Sequence, residues 1–271
     1  MMSRRFATVA GVVFTTLAAS LPAAGQEVSY SGSLQYATGR YLYTERASSL
    51  FFFNGISAIA GPLRLSASVP VIMQSTAFLS YTGGGLVPSG TDTGMGDRVA
   101  TVADTATYRQ FGLGDPLAHA DLRLLGEGSV MPAVRITADV KVPIADVERG
   151  FGTGEWDYAG GLSLSKSLGL TLVFLDVSYW VLGDFPDQEL KDPITYSLAV
   201  GHPIARARLG LFASLFGNTE ILDGVEPPMQ LSLGLNYLVA PGTSISGSAA
   251  FGLTESSPDL SLSFGWLLSF R

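Results

Sequence analysis

Beyond Val28, apolar and small side chains alternate with a period of two along most of the chain. In segment 260–270, every even position holds Leu, Phe or Trp, and the odd positions hold mainly Ser and Gly. Segment 229–239 repeats the pattern, with Gln, Ser, Gly and Asn on its second face. A period of two is that of a β-strand, and no helical period follows the N-terminal segment. The alternation therefore predicts an all-β protein.

The residues on the second face of these strands indicate whether the sheet is surrounded by water or by lipid. Strands that face water usually carry Lys, Glu and Arg, whereas these carry Ser, Gly, Ala, Thr and Asn, and only 14% of the chain is charged. After the N-terminal segment no apolar run is long enough for a helical membrane span. In lipid every backbone polar group has to be paired internally, so a β protein there closes on itself. We therefore expect a transmembrane barrel with its apolar face outward and its small-residue face lining the lumen.

The alternating segments and their connections predict the topology. Five connections are tight, near residues 61, 128, 168, 206 and 241, and the connections between them are longer, above all 77–112. Short turns on one side and long loops on the other are typical of outer-membrane barrels. We predict a single antiparallel transmembrane β-barrel of about 12 strands, with short periplasmic turns and longer extracellular loops. The predicted strands are 28–43, 49–60, 62–76, 113–126, 131–144, 155–167, 170–183, 193–204, 208–218, 228–239, 243–253 and 259–270.

The first residues have the features of a secretory signal peptide. Arg4 and Arg5 precede an apolar stretch, and Ala23 and Gly25 fit the small-residue rule for cleavage before Gln26. We expect residues 1–25 to be a signal peptide and 26–271 to form the barrel, in the outer membrane of a Gram-negative bacterium. The chain contains no cysteine, so disulfides and thiolate metal sites are excluded.

Charge and the last strand predict the partners. The net charge of −7 disfavours nucleic acid. The long loops are acidic, and acids at the rim can bind Ca²⁺ or Mg²⁺, ions that also bridge lipopolysaccharide. We therefore expect contact with lipopolysaccharide besides the membrane lipids. The final strand resembles the assembly signal of outer-membrane barrels, so we expect the barrel assembly machinery to bind it. That signal usually ends on an aromatic residue, and here Arg271 follows Phe270.

Two neighbouring predicted strands carry the most charge within the wall. A hairpin centred near Gly128 predicts Asp121 opposite Arg135 and Asp115 opposite Lys141. Two interpretations stay open: these side chains line a permeation path for a small-molecule solute, or they form a salt-bridged plug. The candidate lumen-lining residues are Asp115, His119, Asp121, Arg123, Arg135, Asp139 and Lys141.

The long connection 77–112 is rich in glycine and follows the third predicted strand. Its length makes it a candidate to fold into the mouth and gate it, and the alternative is a surface loop. The gating candidates are Asp92, Asp97 and Arg98. Asp92, Asp97 and the other acids of the long loops do not have the spacing of an EF-hand, so we expect no metal site, and no cofactor motif is present.

An outer-membrane lipid-modifying enzyme is a further, less favoured alternative. Such an enzyme needs a histidine, a serine and an orienting polar group. The chain has only His119 and His202, and it lacks a G-x-S-x-G motif. We therefore expect no enzyme activity and no catalytic residue.

Three stretches resemble one family, namely "FGLGDPLAHADLRLL" (111–125), "ADVKVPIADVERGFGTGEWDYAGGLSLSKSL" (138–168) and "GLTESSPDLSLSFGWLLSF" (252–270). They are similar to the outer-membrane family named for the meta-pathway of phenol degradation. One departure is "PIAD" at 143–146, where that family usually has Pro-Thr-Gly. The resemblance implies a transport-like barrel and supplies no catalytic residues. The expected function is passive uptake of small, hydrophobic or aromatic compounds. The alternative is a structural barrel with a sealed lumen that contacts lipopolysaccharide or partner proteins.

Overall fold

The computed structural model describes residues 27–41, 46–75, 79–88, 110–147, 149–185, 189–204 and 208–270. The predicted signal peptide and most of the connection 77–112 lie outside these residues. The described chain is all-β. Its strands are β1 (Glu27–Gly39), β2 (Ala47–Ala60), β3 (Leu63–Gln74), β4 (Leu79–Thr82), β5 (Gly85–Pro88), β6 (Gln110–Leu113), β7 (Leu117–Leu125), β8 (Ala133–Lys141), β9 (Asp157–Leu168), β10 (Thr171–Val181), β11 (Ile194–Ile204), β12 (Leu209–Asn218), β13 (Met229–Ala240), β14 (Thr243–Gly252) and β15 (Leu260–Phe270).

The wall is a closed antiparallel barrel. From β1 to β3 and from β7 to β15 each strand pairs with the next in sequence, β7 pairs with β3, and the barrel closes where β1 pairs with β15 from Val28↔Phe270 to Thr38↔Leu260. Both β6 and β7 pair with β3, so they act as one wall strand that is interrupted at residues 114–116. Counted in this way the barrel has 12 strands, which confirms the predicted fold.

The tight turns lie at one end of the barrel and the long connections at the other. Gly61 and Gly242, in two of the tight turns, have positive φ angles of 60° and 78°, a conformation that glycine adopts without steric cost. The sheet begins at Glu27 and ends at Phe270, both at this short-turn end. The described residues include no helix of the length and hydrophobicity needed to cross a bilayer.

The apolar face of the wall points outward. On β13, Leu233 and Leu235 are 51% and 49% exposed, whereas Ser232 and Gly234 between them are partly buried and face the lumen. The final strand repeats this arrangement, with Leu262 and Phe264 outside and Ser263 inside. Large apolar side chains exposed around a closed wall suit hydrocarbon as the surrounding medium. The predicted orientation of the two faces is therefore confirmed.

Buried apolar side chains gather at the long-loop end of the barrel. There the short antiparallel hairpin formed by β4 and β5 packs against the wall and its loops. The sequence did not predict this hairpin, because each of its strands has only four residues and shows no extended alternation.

Candidate functional site

The hairpin β4–β5 lies across the long-loop mouth of the lumen. One of its residues, Val87, belongs to a cluster that reaches β10 and the loops on either side of β11 and β12. Leu79 packs with Tyr41 and Ala47, on the opposite side of the barrel. Tyr81 contacts the rings of Phe51 and Phe53 on β2, with ring centroids 5.9 Å apart in both cases. The hairpin therefore contacts widely separated parts of the barrel wall.

Hydrogen bonds anchor the hairpin at both ends. At its turn, the Gly83 amide donates to Asp157 Oδ2 at 2.8 Å, and Asn218 Nδ2 donates to the Gly84 carbonyl at 2.8 Å. At its start, Gln74 Nε2 donates to the Leu79 carbonyl at 3.3 Å. These contacts join the hairpin to β3, β9 and β12 without any covalent link beyond the chain itself.

Gly83 sits directly against the indole ring of Trp180. A Cβ atom at position 83 would overlap that ring, whereas one at Gly84 would meet Ile221 at 3.6 Å, an ordinary contact distance. Neither glycine has a positive φ angle. The glycine at 83 is therefore required by close approach to the wall rather than by backbone conformation.

A buried charge cluster lies under the turn of the hairpin. Lys141 Nζ is 3.0 Å from Asp157 Oδ2 and 3.4 Å from Asp115 Oδ2, and it donates a hydrogen bond to Thr153 Oγ1 at 2.6 Å. Asp115 Oδ1 also accepts the amides of residues 144 and 145. All three charged side chains are almost fully buried, so their partners have to compensate for lost hydration. Because Asp157 also accepts a hydrogen bond from the Gly83 amide, this cluster helps to hold the hairpin in its position.

A second charged network lines the lumen closer to the short-turn end. Asp121 Oδ1 accepts a hydrogen bond from Arg135 Nη1 at 2.8 Å, and Asp121 Oδ2 lies 3.8 Å from Arg64 Nε. His119 Nδ1 is 2.7 Å from Asp139 Oδ1. These side chains face inward because they continue the inward row of β3 across β7 and β8.

The predicted register of this pair of strands is wrong by two residues. Asp121 lies opposite Thr137 rather than Arg135, and Lys141 lies opposite Leu117 rather than Asp115. The turn is longer than predicted, and the pairing shifts at an irregularity between Arg123 and Leu125. The two expected ion pairs nevertheless form, but diagonally across the strands.

The structure divides the sequence-predicted site residues between the two networks. Asp115 and Lys141 belong to the buried cluster under the hairpin, and His119, Asp121, Arg135 and Asp139 to the lumenal network. Arg123 lies opposite Arg135. The gating candidates Asp92, Asp97 and Arg98 lie outside the described residues. Among the residues that the structure describes, no three His, Asp or Glu side chains are grouped to hold a metal ion.

Aromatic side chains also face the lumen, and sequence reasoning missed them. Phe212 lies opposite Gly234 with its ring over that glycine, and Phe216 lies opposite Gln230. Phe174, opposite Ser165 on β9, is 37% exposed to the lumen. The available signal was the sequence "LGLFASLFG" on β12, which is apolar on both faces and so departs from the small-residue pattern.

Beneath the hairpin the lumen retains open space. A cavity of about 320 Å³ is lined mainly by small residues, including Ser31, Ser33, Ser68, Ser244 and Ser246. A separate concavity of about 630 Å³ lies on the outer face, where Leu211, Leu233 and Leu235 surround small side chains. Since that second space opens to the lipid side, it does not belong to the lumen.

The loops at the mouth carry their own ion network. Lys191 Nζ donates to Glu220 Oε2 at 2.7 Å and to Asp223 Oδ1 at 2.8 Å, which joins two long loops. These hydrogen bonds lower the pKa of both carboxyl groups and raise the pKa of Lys191. In the hairpin, burial raises the pKa of the Tyr81 phenol, which keeps that ring neutral.

Comparison with solved structures identifies similar folds. An outer membrane channel from Pseudomonas putida F1 is 14% identical, with a TM-score of 0.66 over 93% of this chain and 97% of that chain. The KdgM porin is 8% identical, with a TM-score of 0.49 over 90% of this chain and 99% of the other. The CymD monoaromatic hydrocarbon channel is 12% identical, with a TM-score of 0.49 over 91% and 89%.

Two comparisons were made by sequence. No curated protein matches the chain significantly. A family model described as "putative MetA-pathway of phenol degradation" matches residues 63–270, which is most of the chain and includes both charged networks.

Proposed function

We propose, since the chain belongs to the family described as the putative MetA-pathway of phenol degradation, that it is a passive channel for small solutes in the outer membrane. The solutes cross the barrel through its lumen, down their own concentration gradient. The hairpin β4–β5 closes the outer mouth in the conformation described above and moves aside when a solute passes.

The observation that carries this proposal is the way the hairpin is held. It is not a strand of the barrel wall: β4 and β5 pair only with each other. Apolar contacts and a few hydrogen bonds hold it in place: Asp157 accepts one from the hairpin, Asn218 and Gln74 each donate one to it, and Ser80 donates one to the Gly150 carbonyl. An element that packs on a wall without joining its backbone ladder is able to leave while the barrel stays intact.

The size and the lining of the lumen suit small solutes that contain an aromatic ring. A barrel of 12 strands has a limited interior. Phe174, Phe212 and Phe216 present rings to it. The family description refers to phenol degradation, which agrees with a ring-containing solute.

Three further expectations accompany this proposal. The chain has no enzymatic role, and its charged lumenal residues position solutes rather than catalyse a reaction. The barrel assembly machinery inserts the protein, and the acidic loops contact lipopolysaccharide. Each of these expectations stays a prediction.

Solute flux into liposomes tests the proposal. The mature chain is reconstituted, and phenol entry is compared with that into empty vesicles and into vesicles that hold a variant lacking residues 79–88. We expect flux above the empty-vesicle level for the full chain and faster flux for the deletion variant. Flux at the empty-vesicle level for both proteins contradicts the proposal and favours a structural barrel with a sealed lumen. Circular dichroism and the heat-shift of barrel mobility on gels verify that both proteins are folded.

A further inference from the structure

Two arginines lie directly opposite each other on the lumenal face of neighbouring strands. Arg123 on β7 pairs in register with Arg135 on β8. Like charges in directly opposite positions of an antiparallel pair are destabilising, so this arrangement needs a compensating anion. For Arg135 that anion is the carboxylate of Asp121, whose Oδ1 lies 2.8 Å from Arg135 Nη1. Among the described residues no acidic side chain forms an ion pair with Arg123.

The surroundings of this pair are positively charged. Arg64, on β3, lies 3.8 Å from the same Asp121, so one buried carboxylate faces the guanidinium groups of both Arg64 and Arg135. Asp139 is engaged by His119. The next acid along the row of Arg135 is Asp176 on β10, beyond Ser163, and it accepts a hydrogen bond from Ser197. The lumenal face around Arg123 therefore has unused capacity to bind an anion.

Aromatic rings lie at the same end of the lumen. Arg123 and Arg135 are close to the short-turn ends of β7 and β8, and Phe174 and Phe212 are close to the short-turn ends of β10 and β12. The strand with Phe174 is separated from β8 only by β9. Two strand spacings amount to roughly 10 Å, a gap that one substituted benzene ring with a charged group spans.

We propose that the short-turn end of the lumen is a selectivity site for small aromatic carboxylates. The carboxylate accepts hydrogen bonds from Arg123 and Arg135, and the ring packs against Phe174. Guanidinium groups are well suited to this role because their planar donors match a carboxylate. This inference deepens the proposed channel function and rests on it, because it names the solute class that the channel favours.

The test compares benzoate, phenol and acetate in the same liposomes at pH 7. Phenol supplies the ring without the charge, and acetate supplies the charge without the ring. The variant is Arg123→Gln, which removes the arginine that has no acidic partner. The matched control is Lys166→Gln, which removes one positive charge at the same end of the barrel from a side chain bound to Glu127 and to turn carbonyls.

We expect Arg123→Gln to lower benzoate flux roughly tenfold, as the loss of a charge-assisted hydrogen bond implies. Phenol flux stays within about twofold of the parent, acetate flux falls less than benzoate flux because acetate has no ring to pack against Phe174, and Lys166→Gln changes none of the three. Ligand-free stability gives a second measurement. The Arg123→Gln barrel unfolds at the same temperature as the parent or higher, because a like-charge pair is relieved, and added benzoate raises that temperature less than it does for the parent.

Three results overturn the inference. Equal losses of benzoate and acetate flux leave only a general anion site. Benzoate flux unchanged by Arg123→Gln, with phenol still entering, removes the selectivity site while the channel function stands. Absence of flux for every solute through the parent protein removes the channel function together with the site.

Discussion

At the scale of single residues, two adjacent glycines in the hairpin turn have different environments. Position 83 faces the ring of Trp180 without room for a Cβ atom, whereas position 84 has ordinary spacing. We expect Gly83→Ala to displace the hairpin turn and raise phenol flux several-fold, and Gly84→Ala to leave flux near the parental value. The paired liposome measurement checks this difference. Equal flux through the two variants contradicts close packing of the hairpin on β10.

The buried lysine gives a prediction about stability. In Lys141→Met the carboxylates of Asp115 and Asp157 lose their cation in a site that excludes water. Removing one partner of a buried ion pair costs about 3–5 kcal/mol, and urea unfolding of the detergent-solubilised barrel measures it. The exposed Lys191 provides the control, because solvent screens its two ion pairs and Lys191→Met leaves the unfolding midpoint nearly unchanged. Similar midpoints for the two variants are the contradicting result.

At the scale of elements, the wall strands could be predicted from the sequence and the hairpin could not. Alternation over ten or more residues defines strands such as β13 and β15, because lipid requires one apolar face along their whole length. The hairpin depends instead on contacts with remote segments, for example Tyr81 with Phe51. The register of β7 and β8 was missed for a related reason: it depends on a local irregularity that the side-chain pattern does not record.

Movement of the hairpin can be tested by tying it to the wall. The parent chain has no cysteine, so the double variant Gly84→Cys/Asn218→Cys introduces one defined pair, at two positions that a hydrogen bond from Asn218 Nδ2 to the Gly84 carbonyl places side by side. We expect a bifunctional thiol cross-linker that contains a cleavable disulfide to reduce phenol flux to the empty-vesicle level, and a reductant to restore the flux of the same sample. Each single variant controls for the substitutions. Full flux through the cross-linked protein contradicts gating by the hairpin.

The ion network between the mouth loops predicts a dependence on pH. The pKa values of Glu220 and Asp223 are lowered by Lys191, so their stabilising contribution is present above the ordinary carboxyl pKa of about 4. It is lost as the pH falls through the lowered values. The Gly224 amide donates to Glu220 Oε1 at 2.9 Å, and its NMR shift reports the titration. We expect its midpoint to rise toward the ordinary glutamate value in Lys191→Ala. The same midpoint in both proteins contradicts the coupling.

At the scale of the whole molecule, the outer face of the barrel wall is apolar and suits lipid, and its lumen is lined by both charged and aromatic side chains. Charged side chains concentrate on β3, β7 and β8, whereas aromatic ones face inward from β10 and β12 and, near the mouth, from β2. The charged side could be predicted, since ionised residues interrupt an apolar pattern. The aromatic side could not, because Phe212 and Phe216 look like lipid-facing residues until the register of β12 is known. An amphipathic interior of this kind suits solutes that have both a ring and a polar group.

The central claim is that the apolar face of a closed barrel meets lipid and the small-residue face meets the lumen. Site-directed spin labelling of the reconstituted protein tests it, because single cysteines can be placed at Leu233 and Leu235 on one face and at Ser232 and Asn236 on the other. We predict that labels at the two leucines are relaxed mainly by oxygen dissolved in the bilayer, and labels at Ser232 and Asn236 mainly by a water-soluble nickel complex. The reverse pattern, with water at the leucines, contradicts the membrane barrel and the channel function with it.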